Sequence, residues 1–81
     1  MKKIEAYKKL KQNPKNIRFS EVCSIAELFG FINKNTEGSH RVYTQEGIFE
    51  ILNFQNMKGK AKPYQVKQFI KIIEKYDLAK E

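Results

Sequence analysis

The hydrophobic period of the chain changes at Gly30, and that change limits the folds open to it. Before it, Val22, Ile25, Ala26 and Phe29 fall at i, i+3, i+4 and i+7, the spacing of one buried helix face. Ser20 is placed to cap that helix, Glu21 to complement its dipole in the first turn and Gly30 to stop it. After it, Phe31 to Glu37, His40 to Thr44 and Ile48 to Phe54 are short runs rich in β-branched and aromatic residues. Gly38-Ser39 and Gln45-Glu46-Gly47 separate them, so the pattern predicts a three-stranded antiparallel meander. Alternation in the central run puts His40, Val42 and Thr44 on one face and Arg41 and Tyr43 on the other. The pattern leaves open which of these faces the helices cover.

Helical stretches flank this unit. Residues 2–12 are rich in helix formers, with Ile4, Tyr7 and Leu10 recurring about once per turn, which predicts a short and weakly amphipathic helix. Asn13-Pro14-Lys15-Asn16 ends it, because proline cannot continue the ladder and pushes Asn13 out of helical angles. We expect residues 1–13 to be a helical appendage to a core spanning 18–78. Beyond the strands, Asn56 to Lys62 reads as a basic loop, and Pro63 opens a last helix as its first residue. Its buried stripe is Val66, Phe69, Ile70, Ile73 and Tyr76, while Lys67, Lys71 and Lys75 line a second face. The expectation is one α+β domain over 1–81, in the order helix, helix, three strands, helix.

A chain of 81 residues buries only a little over about 60% of its unfolded surface, so the core is small. Six Phe and four Tyr must supply much of it. One cysteine, Cys23, cannot close an internal disulfide, and its place beside the helix stripe predicts a buried thiol. With no apolar leader at the N-terminus and no run of about 18 apolar residues, a soluble, cytoplasmic protein is expected, without membrane contact. The net charge of +7 is segregated. Residues 1–18 hold seven cations against Glu5, residues 19–57 hold five acids against Lys34 and Arg41, and residues 58–81 hold seven lysines against three acids. Two basic ends around an acidic middle fit a polyanion binder. They also fit a lysine-rich solvated surface.

Much chemistry is excluded by what the chain lacks. One His, one Cys and nine dispersed acids offer no HExxH, no Cys/His metal set and no glycine-rich phosphate loop. No metal or other cofactor is expected. Ser39 and His40 are adjacent on a strand and point to opposite faces, a poor geometry for nucleophile and base. What remains is a reaction in which the substrate brings its own nucleophile. In RNA the 2′-hydroxyl lies beside the scissile phosphate, so the protein need supply only a base, a proton source and cations for the developing charge. Histidine is the side chain whose unperturbed pKa, about 6.5, suits that base, and His40 is the one in this chain. A polar strand residue with no chemical role would look the same. The basic Lys58-Gly59-Lys60-Ala61-Lys62 directly precedes a helix start, where free backbone N–H groups favour a phosphate.

Gly38-Ser39-His40 in a turn after one helix and one strand, an apolar-aromatic strand next, then Gly59-Lys60-Ala61-Lys62-Pro63-Tyr64-Gln65-Val66 running into a terminal helix: this arrangement resembles the HicA-type toxins of bacterial toxin–antitoxin systems. The resemblance covers about residues 18 to 76. It implies a double-stranded-RNA-binding-domain-like α-β-β-β-α fold, here with an extra N-terminal helix, and an mRNA-cleaving endoribonuclease activity. It also implies His40 as the catalytic residue and a HicB-type antitoxin as partner. Arg41 stands where such proteins often carry an aromatic residue or a second histidine.

Together these give a metal-independent ribonuclease acting on mRNA, with His40 as general base, Arg41, Lys58, Lys60, Lys62 and Lys67 holding phosphates, and Tyr43 as a stacking surface. The proton donor would be water or a perturbed lysine. The competing reading is a non-catalytic RNA-binding module on the same fold.

Overall fold

The computed structural model describes residues 1–80. Helix α1 (Lys3–Gln12) is followed by α2 (Phe19–Leu28), strands β1 (Ile32–Glu37), β2 (His40–Gln45), β3 (Ile48–Met57) and β4 (Lys60–Ala61), and helix α3 (Pro63–Lys75). The strands form one antiparallel sheet in the order β1-β2-β3-β4. The protein is thus an α+β domain with three helices.

All three helices contribute to one core against one face of the sheet. Tyr43, Leu52 and Phe54 from the strands are buried with Val22, Ile25, Ala26 and Phe29 of α2 and Val66, Phe69, Ile70 and Ile73 of α3. Phe69 is at its centre, edge-on to Phe29 and Phe31 at 5.8 and 5.9 Å and tilted against Phe54 at 5.7 Å, the offset geometries aromatic quadrupoles prefer. Both helix stripes are those the spacing predicts, with Tyr76 only partly buried and Gln65 and Ile72 buried in addition. Cys23 is buried as well, and desolvation pushes its thiol above the usual range.

Four sequence expectations need correction. Ser20 does not cap α2: the helix starts one residue earlier, at Phe19, with Arg18 at the N-cap, and the Phe19 N–H donates to the Gly59 carbonyl instead of a side chain. Gly30 does end it, through paired bonds from the Gly30 N–H to Glu27 and the Phe31 N–H to Ala26. The stripe of α1 is Ala6 and Leu10, both fully buried, whereas Ile4 is exposed and Tyr7 is partly buried. A methyl at position 6 lets α1 lie close on α3, so the helix belongs to the core and is not an appendage to it. The strands run to Gln45 and Met57, longer than expected. The segment read as a loop holds β4, whose pairing with Asn56 and Met57 extends the meander to four strands.

Candidate functional site

His40 is delivered by a two-residue turn. Glu37 pairs with His40, and Gly38 between them has φ 59°, a left-handed angle that glycine adopts without a Cβ clash. Because Tyr43 faces the core, His40 faces away from it, on the sheet surface that carries no helix. The imidazole is exposed there, and among the described residues nothing hydrogen-bonds it.

Register then shows which residues share its face, since directly opposed residues of neighbouring strands point the same way. His40 is opposite Glu37 on β1 and Gln55 on β3. Two residues beyond Gln55 is Met57, which is opposite Lys60 of β4, and Lys60 is bridged in turn to Arg18. A row of His40, Gln55, Met57, Lys60 and Arg18 therefore crosses the open face at one end of the sheet.

The start of α3 is clamped beside that row. Strand β4 stops at Ala61, so the Gln55 N–H finds no further strand partner; the Gln65 side chain replaces it, accepting that N–H at 2.8 Å. A buried amide left unpaired would cost about 1–3 kcal/mol, which explains why a polar Gln65 is buried here. The Gln65 amide also donates to the Tyr64 hydroxyl at 3.4 Å, and the Lys62 ammonium lies 5.9 Å from the Tyr64 ring. Tyr64 is 56% exposed. Lys67 is exposed one turn further along α3.

The predicted site residues thus separate into two groups. Lys60 shares the His40 face, Lys58 is in the adjoining turn, and Lys62 opens the helix clamped to Gln55. Arg41 is on the other side of the sheet, its guanidinium 5.3 Å from the Phe19 ring, with Tyr43 and Cys23 beside it stabilising its charge. Tyr43 is a correction: its ring is fully buried and its hydroxyl donates to Glu27 at 3.2 Å, so no face is free to stack on a base. Desolvation pushes its phenol up to about 12. Tyr64, Gln55, Gln65 and Arg18 were not predicted as site residues. Tyr64 could have been found as the aromatic next to Pro63 at a basic helix start; the other three depend on pairings across the fold.

Among the described residues no three His, Cys, Asp or Glu side chains gather to hold a metal ion, and no helix is long and apolar enough to cross a membrane. The chain matches no protein-family model, no curated protein and no solved structure.

Proposed function

We propose that the protein is a metal-independent endoribonuclease acting on single-stranded RNA, with His40 as the general base. The observation that carries this reading is the exposed His40 on the helix-free face, in one row with Lys60 and Arg18 and beside the start of α3. His40 takes the proton of the 2′-hydroxyl, which attacks the adjacent phosphorus; Lys62 offsets the charge that builds on the phosphorane oxygens. Water protonates the leaving 5′-oxygen. Tyr64 takes over the stacking role assigned to Tyr43 from sequence, because its ring is open to solvent. Single-stranded substrate follows from the need to align the 2′-oxygen with the leaving group, which A-form geometry prevents.

The order α2-β1-β2-β3-α3 supports a double-stranded-RNA-binding-like frame extended by α1 and β4. With Gly38-Ser39-His40 and the start of α3, it supports a HicA-type toxin role in the cytoplasm, with mRNA as substrate and a HicB-type antitoxin as inhibitor. The unpartnered imidazole favours one competing reading, an RNA-binding module without catalysis. Incubating wild-type and His40→Gln protein with RNA in EDTA separates them. We expect cleavage by the wild type alone, with equal folding of both; equal cleavage by the two would exclude His40 as the base, and binding without cleavage would favour the module.

A further inference from the structure

Away from His40, a cleft of about 590 Å³ opens between α1, the segment leading into α2 and the β3–β4 turn. Its walls are Lys9, Asn16, Arg18, Glu21 and the turn from Lys58 to Lys60. Glu21 is already paired with Lys9. Arg18, Lys58 and Lys60 have no carboxylate partner among the described residues. No wall residue is apolar or aromatic, so a nucleobase would find nothing to stack on or pack against. The lining suits phosphate oxygens.

Local energetics point the same way. The β3–β4 connection is a two-residue turn in which Lys58 (φ 53°) and Gly59 (φ 90°) are both left-handed, a geometry for which Asn-Gly is the low-cost choice. The first position carries a lysine instead. Arg18 and Lys62 both stand at helix N-caps, where a cation opposes the dipole. Of these, Lys58 and Arg18 line the cleft, and an anion held there would offset the cost of both positions.

Position identifies that anion. Lys60 shares the face of His40, and from β2 across β3 and β4 to Arg18 is three strand spacings, about 14 Å. We propose that the cleft holds backbone phosphates of the same single-stranded RNA whose scissile phosphate is at His40, a few nucleotides along the strand. This rests on the ribonuclease reading and adds a remote subsite built partly by α1. It makes the protein favour longer single strands over short ones, with no base preference at the remote end.

The test uses the full chain carrying His40→Gln, so that RNA stays intact, with and without Arg18→Gln, Lys58→Asn and Lys60→Gln together. Binding of single-stranded RNAs of about four and about ten nucleotides is measured by fluorescence anisotropy across a salt series. The three changes are expected to weaken binding of the longer RNA about tenfold and to reduce the slope of log affinity against log salt by about 2, at roughly 0.7 per lost contact. The shorter RNA is expected to change less than about twofold. Lys58→Asn alone should weaken the longer RNA while keeping or raising the melting temperature, which separates binding from folding. Lys58→Arg with Lys60→Arg should bind as the parent does. Unchanged affinity for the longer RNA overturns the subsite and leaves the ribonuclease reading standing, as would occupancy by an acidic protein instead. Equal losses at both lengths overturn it too, reducing the cleft to a diffuse field. Failure of the parent to bind either RNA removes the ribonuclease reading itself.

Discussion

Tyr43 and Tyr64 differ in what their rings can reach. The Tyr43 ring has no solvent-facing side, and its phenol, held by Glu27 in a desolvated site, titrates at about 12 instead of the usual 10.0. Only the neutral phenol fits that site, so its contribution to stability is intact below pH about 10 and is lost as the pH climbs from about 10 to about 12. Tyrosinate absorbance measured through an alkaline titration should therefore show one phenol ionising near pH 12 or together with unfolding, and Tyr43→Phe should remove that step. Tyr64 is the ring a base can meet. Tyr64→Ala should weaken binding of single-stranded RNA by about 1–3 kcal/mol, and Tyr43→Phe should leave it unchanged, both read by anisotropy. The sequence assigned this role to Tyr43 because strand alternation divides residues into two faces without saying which one a helix covers. His40 could be singled out from sequence as the one histidine of the chain, but that its face is the open one follows only from Tyr43 facing the core.

Helix α1 shows how a weak local pattern can conceal a strong tertiary role. Its sequence stripe of Ile4, Tyr7 and Leu10 is thin, and a ten-residue helix is marginal on its own. Packing reverses that reading, because Ala6 carries no bulk and lets Leu10 reach the core beside α3. Lys11 and the Tyr7 hydroxyl then converge on Glu74, and Lys9 pairs with Glu21 of α2. The ion pairs are exposed and add little; the buried leucine carries the attachment. Leu10→Ala should lower the stability to denaturant unfolding by about 2–4 kcal/mol, a loss expected of a core position and not of an appended helix. Strand β4 was illegible for another reason. Two residues have no period, and Lys60–Ala61 is a strand only because Asn56, Met57 and Arg18 hydrogen-bond on either side of it.

At the scale of the molecule, the fold gathers charge that the sequence keeps apart. The excess cations belong to residues 1–18 and 58–81, and the Arg18–Lys60 bridge joins these two ends of the chain beside the row that carries His40. Composition could report the segregation, but only long-range pairing could set Arg18 of one segment beside Lys58 and Lys60 of the other. Like charges held close make the free protein less stable than its core allows, and a bound polyanion relieves that repulsion. Anything that binds the folded state alone adds RT ln(1 + [L]/Kd) to its stability, about 2.7 kcal/mol at a hundredfold excess over Kd. For a domain of this size that corresponds to a rise of about 10 °C or more in melting temperature. His40→Gln protein, heated with an excess of a single-stranded RNA of about ten nucleotides, should show this rise at low salt and lose most of it as the salt is raised. A rise that persists at high salt would mean that contacts other than phosphate dominate, and no rise at all would mean that this basic cluster does not bind RNA.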